Sequence, residues 1–154
     1  MFMKLKLSKL VAIGVSALVI AGTVPMISEA NNHTDSPFTF NVSATGGAGY
    51  VSEAGRLKDD ASSSYMYCTS FTRTYVGGTG NTYSATAYGS SNVTDWHNCS
   101  YQGKTAPSYV FTSGTKRYLT NYIYESGCRY GTIYCNANYT TYAQFQGLWS
   151  PDSV

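Results

Sequence analysis

Two histidines, His33 and His97, are the only side chains whose ordinary titration range suits base catalysis near neutral pH. His33 stands in a polar stretch, Asn31–Pro37, with no chemical partner close in sequence. His97 is better placed, inside Asp95-Trp96-His97-Asn98. A serine hydrolase using His97 as its base is a reading the chain allows, because triads assemble from distant positions. Against it, the sequence contains no GxSxG elbow. Paired carboxylates could cleave a glycosidic bond, but Glu53, Asp59, Asp60, Asp95, Glu125 and Asp152 fall mostly in expected loops. Asp59-Asp60 lacks the D-x-D-x-D-G spacing of a calcium loop. The expectation is a protein that is not an enzyme and holds no cofactor and no metal.

Four cysteines, Cys68, Cys99, Cys128 and Cys135, carry the next possible chemistry. There is no CxxC and no histidine cluster of zinc spacing. An even number in an exported chain points to disulfides, with three pairings open. On one uninterrupted strand, Cys128 and Cys135 would stand about 23 Å apart, beyond bridging distance. Cys68–Cys99 is the first expected pair, with Cys128–Cys135 left by elimination if the chain between them turns sharply.

Tyrosine is the third resource. Of the 15 tyrosines, seven lie between Thr115 and Val154. Read as strands, that segment puts Tyr118, Tyr122 and Tyr124 on one face, and Tyr130 and Tyr134 on a face of the next strand. Such aromatic ridges beside Asn and Gln can stack sugar rings or hold a partner protein. These five tyrosines are the candidate binding residues. The competing reading is that the rings fill the core and form cross-strand ladders.

The elements that must position these groups are β-strands. Phe38–Ser43 alternates strictly, with Phe38, Phe40 and Val42 on one face. Ala44–Ser64 is charged and aperiodic and reads as a long loop, with one helical turn at Glu53–Lys58. Tyr65–Val76 and Thr82–Gly89 flank a glycine turn and predict an antiparallel hairpin. Pro107–Phe111 suits an edge strand. Tyr118–Glu125, then Arg129–Asn138 with Gly131, Ile133, Cys135 and Ala137 on one face, then a strand with Ala143, Phe145 and Gly147 on one face, complete the series. Strands at this spacing, with turn residues between them, predict an all-β, antiparallel sandwich of about seven to eight short strands.

The N-terminus reads as an export signal. Lys4, Lys6 and Lys9 precede the uncharged run Leu10–Ile27, and Ser28-Glu29-Ala30 supplies a small-x-small cleavage site. Residues 1–30 are expected to be removed, 31–36 to be loose, and 37–154 to form one β-sandwich domain. Of the ten Lys+Arg and eight Asp+Glu, Lys4, Lys6, Lys9 and Glu29 precede the cleavage point, leaving seven of each sign. A neutral mature protein is a poor partner for nucleic acid or an anionic membrane; membrane contact is expected only through the signal before cleavage.

Gly114-Thr115-Lys116-Arg117-Tyr118-Leu119, Glu125-Ser126-Gly127 and the ending Gly147-Leu148-Trp149-Ser150-Pro151-Asp152-Ser153-Val154 resemble a family of short secreted proteins of Gram-positive bacteria classed as a domain of unknown function. Tyr65-Met66-Tyr67-Cys68 and Thr86-Ala87-Tyr88-Gly89 extend the resemblance over most of Ser36–Val154. It implies a single extracellular domain and no known activity. Size class, export and Tyr/Gly/Ser composition are also similar to the lactococcin 972-type bacteriocins, without a shared motif. The expected function is therefore non-catalytic binding of a cell-wall polymer or surface protein outside the cell, with a bacteriocin-like antagonist as the alternative.

Overall fold

The computed structural model describes residues 33–43, 45–73, 80–100, 108–137 and 142–153. The expected signal peptide lies outside the described residues, as do residues 77–79 of the glycine turn expected over 77–81 and the whole of the turn expected over 138–141.

Ten strands follow in order: β1 (Ser36–Val42), β2 (Gly47–Tyr50), β3 (Arg56–Leu57), β4 (Ser64–Arg73), β5 (Tyr83–Ser90), β6 (His97–Asn98), β7 (Tyr109–Phe111), β8 (Lys116–Leu119), β9 (Tyr130–Ala137) and β10 (Ala143–Ser150). They make a four-stranded sheet, β1-β10-β4-β8, and a six-stranded sheet built on β2-β9-β5-β6, with β3 also on β9 and β7 also on β5. Every pairing is antiparallel. The all-β antiparallel fold expected from the alternation is what the chain adopts.

The alternation explains which faces meet. Phe38, Phe40 and Val42 of β1, Met66 and Cys68 of β4, and Phe145 and Trp149 of β10 point inward from one sheet. Tyr83 and Ala85 of β5, Phe111 of β7, and Ile133, Cys135 and Ala137 of β9 meet them from the other. Tyr83 sits at the centre, its ring centroid 4.7 Å from that of Phe145 and 5.4 Å from those of Phe40 and Phe111. Each such side chain, fully buried, contributes about 1.5–3 kcal/mol, so tyrosine fills a core short of large aliphatics.

Three expectations are corrected. β4 and β5 do not form a hairpin: β4 pairs with β10 and β8, and β5 pairs with β9, β6 and β7. The chain leaves one sheet at Arg73 and joins the other at Tyr83, so each strand's apolar face still reaches the shared core. The 44–64 stretch carries no helical turn in its described part; β2 and β3 lie along β9 instead. Finally, the strand expected over Tyr118–Glu125 stops at Leu119. Asn121 takes over there: its Nδ2 donates to the Leu119 carbonyl (3.0 Å) and to Ser64 Oγ (3.2 Å), while its Oδ1 accepts from Ile123 N–H (3.2 Å). A side chain that satisfies the backbone locally competes with a sheet ladder, and here it turns the chain.

The C-terminal segment closes the fold through a buried ion pair. Lys58 Nζ stands 2.5 Å from Asp152 Oδ1, and both side chains are fully buried. Lys58 also donates to the Ser62 carbonyl (2.6 Å), and Asp152 Oδ2 accepts from Asp59 N–H (3.1 Å).

Candidate functional site

Antiparallel pairing leaves one face of the six-stranded sheet pointing away from the core, and aromatic rings gather on it. In β5 the inward residues Tyr83, Ala85 and Ala87 are buried, which puts Ser84, Thr86 and Tyr88 on the outer face. In β9 the outer set includes Tyr134 and Asn136, and in β2 it includes Tyr50, which pairs with Tyr134. The Tyr50 ring centroid lies 5.2 Å from Tyr134, 5.6 Å from Tyr88 and 5.8 Å from Trp96, and Tyr88 lies 5.3 Å from Tyr134. All four side chains are half-buried.

Two local structures hold Trp96 in this group. The 91–95 loop is folded around Asn92, whose Oδ1 accepts from the Thr94 and Asp95 N–H groups (both 3.1 Å) and whose Nδ2 donates to Asp95 Oδ2 (3.0 Å). On the other side, Gly55 has φ +60 and lies under the indole; a Cβ there would stand 2.4 Å from the ring. Only glycine meets both conditions without strain.

Burial and the neighbouring phenols raise the pKa of Tyr50, where Glu53 adds to the effect, and of Tyr88. Their hydroxyls therefore stay neutral well above physiological pH, able both to donate and to accept hydrogen bonds. With Ser84, Thr86 and Asn136 on the same face, the surface offers ring faces bordered by polar groups, the arrangement that suits a partner with alternating C–H and O–H surfaces.

The five tyrosines named from the sequence do not share a face. Tyr134 belongs to the platform. Tyr130 opens β9 opposite Leu57 and Ser90. Tyr122 lies in the turn after β8 and donates from its hydroxyl to the Asn98 carbonyl (3.2 Å). Tyr124 is exposed, beside a cleft of about 520 Å³ that Leu57, Lys58, Gly127 and Arg129 also line. Tyr118 stands on the other sheet, against Tyr65 (5.7 Å), where Lys116, His33 and Asp35 complete a cleft of about 240 Å³. Tyr50, Tyr88 and Trp96 were missed because they come from three separate segments. The outward alternation of Thr86 and Tyr88 was the available signal.

The cysteines are all buried free thiols, arranged differently from the expected pairs. Cys68 and Cys135 belong to the main core, one from each sheet; burial raises the pKa of the Tyr83 hydroxyl, and Cys135 and Cys68 add to the effect. Cys99 and Cys128 belong to a second, smaller cluster with Ala87 and Ile123. The pairing Cys68–Cys99 is thus replaced by proximity of Cys99 to Cys128, because β4 and the segment after β6 serve different sheets. His97 Nε2 lies 3.3 Å from Cys128 Sγ, so a thiol is the side chain beside it.

Burial, then the neighbouring Cys128, push the Cys99 thiol from about 9 up to about 11. The folded chain therefore holds this proton to a higher pH than the unfolded chain does. The contribution of this thiol to the stability of the reduced protein should be fully present below pH about 9 and be lost as the pH rises towards about 11. Urea midpoints measured across that range in reductant should fall, and Cys99→Ala should flatten the decline. An unchanged slope in the variant would assign the alkaline loss to other groups.

Comparison with known proteins gives one family. Residues 26–153 match the family described as protein of unknown function DUF2712, and the chain belongs to it. No curated protein and no solved structure matches the chain.

Proposed function

We propose that this DUF2712 protein is a secreted, non-catalytic binding module that attaches to a cell-wall polymer or surface component through the outer face of its six-stranded sheet. The platform of Tyr50, Tyr88, Trp96 and Tyr134 is the observation that carries the reading. Rings of this kind are the side chains most enriched at binding hot spots. The balance of seven cationic and seven anionic side chains after Ala30 supports an uncharged or mixed-charge ligand over a polyanion. Purified protein mixed with isolated Gram-positive walls should sediment with them saturably. Protein that stays in the supernatant at every wall concentration overturns the reading, and growth inhibition of neighbouring strains then tests the diffusible antagonist.

A further inference from the structure

His97, Cys99 and Cys128 are brought together by two anchored segments. Cys99 N–H donates to the Ala87 carbonyl (3.0 Å) and its own carbonyl accepts from Tyr122 N–H (2.9 Å), fixing the residues that follow β6 against β5 and the 121–128 turn. Cys128 N–H donates to the Ile123 carbonyl (3.1 Å), and Arg129 N–H to the Ser90 carbonyl (3.1 Å). Gly89 of β5 lies beneath the pair: a Cβ there would stand 2.9 Å from Cys99 Sγ and 3.2 Å from Cys128 Cβ. The Ser126 hydroxyl lies 3.3 Å from Cys128 Sγ and 2.8 Å from the Ile123 carbonyl, which holds the thiol's position.

The three candidate donor atoms, one imidazole nitrogen and two sulfurs, all lie within 4.8 Å of one another, with His97 Nε2 3.3 Å from Cys128 Sγ. A tetrahedral zinc-type ion with Zn–S of about 2.3 Å and Zn–N of about 2.0–2.1 Å needs S···S of about 3.8 Å and S···N of about 3.5 Å. The cluster is therefore within side-chain adjustment of that geometry. Both thiols are buried while His97 is exposed, and three protein ligands would leave one position of a tetrahedral ion for an exogenous ligand.

We propose that His97, Cys99 and Cys128 form a binding site for a borderline-soft divalent metal ion of the zinc type, with one position open to an exogenous ligand. The ion replaces two thiol protons and takes neutral imidazole, so a dication and two thiolates make a site of zero net charge and two protons are released. Soft thiolates with imidazole select zinc-like ions over magnesium or calcium. The sequence hides the site because His97-x-Cys99 supplies two ligands from β6 and its end, while the third comes from a distant turn. The site is independent of the aromatic platform and stands or falls separately from wall binding.

The test uses the reduced full chain and Co²⁺ as the spectroscopic probe. One equivalent should produce thiolate-to-cobalt charge-transfer absorption with the d–d bands of a tetrahedral site, and Zn²⁺ should displace it. Zn²⁺ should also protect two thiols from alkylation, mapped to Cys99 and Cys128 in the unmutated protein. His97→Ala, an exposed change, should weaken binding at least about tenfold, since even losing a residue that only orients a metal ligand costs that much. Cys68→Ser should leave the spectrum intact. Acidification should weaken binding with a slope of two protons per metal. The proposal is overturned if no charge-transfer band forms at one equivalent, if binding survives Cys99→Ser/Cys128→Ser, or if protein isolated without reductant carries a Cys99–Cys128 disulfide.

Discussion

Replacing Asp152 with alanine is expected to lower the stability of the protein by about 3 kcal/mol. The reason is what it leaves behind. Lys58 and Asp152 are both fully buried, and removing the carboxylate strands an ammonium away from water. Removing one partner of a buried pair generally costs about 3–5 kcal/mol, whereas replacing both with apolar groups of similar size is often neutral. Two features place this case at the lower end of the range. Lys58 keeps its bond to the Ser62 carbonyl, and Asp60, 3.6 Å away and 35 % exposed, can move towards it. Asp59 N–H loses its acceptor at the same time. In urea titration, Asp152→Ala should show a large fall in midpoint, and Lys58→Met/Asp152→Leu should recover most of it. A cost for Asp152→Ala below about 1 kcal/mol would mean the pair is not buried as described. The same contacts give the Ser150-Pro151-Asp152 segment a structural role: the Ser64 hydroxyl donates to the Pro151 carbonyl (2.9 Å) and the Ser150 hydroxyl to the Asp152 carbonyl (2.6 Å), so the segment ties β4 and the 58–62 loop to the end of β10.

What could be read from the sequence was the side of each strand, and what could not was its partner. Phe38-x-Phe40-x-Val42 and Ala143-x-Phe145 alternate because one face is buried, and a period of two encodes that directly. Nothing in the period of β4 or β5 says that they belong to opposite sheets, so a short glycine-rich link looked like a hairpin turn. Tyr118–Glu125 failed for another reason. Its residue types alternate as a strand would, but the Asn121 side chain supplies the hydrogen bonds a ladder would have supplied, and the backbone turns. Both candidate sites then follow from partner choice. Cys99 meets Cys128 only because the segment after β6 and the 121–128 turn both pack on β5. Tyr50, Tyr88 and Tyr134 meet only because β2 and β5 flank β9. Residues drawn together by pairing between distant strands leave no local spacing to detect.

Tyr134 provides the sharpest test of the binding surface, because it is the strand-borne ring between Tyr50 and Tyr88. Its side chain points away from the core, and its backbone pairs with Thr86 whatever side chain it carries, so Tyr134→Ala should remain folded. The variant should nonetheless lose wall affinity by about thirtyfold, the equivalent of about 2 kcal/mol for one anchoring ring. Tyr134→Phe separates the two ways the ring could act. If the ligand stacks on the face, phenylalanine should retain most of the affinity; if the hydroxyl is the anchor, it should behave like alanine. Tyr118→Ala, on the edge strand of the opposite sheet, should leave binding unchanged. A folded Tyr134→Ala with wild-type affinity would exclude the platform, and a loss confined to Tyr118→Ala would move the site to the cleft beside Tyr65 and Lys116. The distinction is measurable because the two tyrosine groups lie on different sheets, so one substitution cannot disturb both by contact.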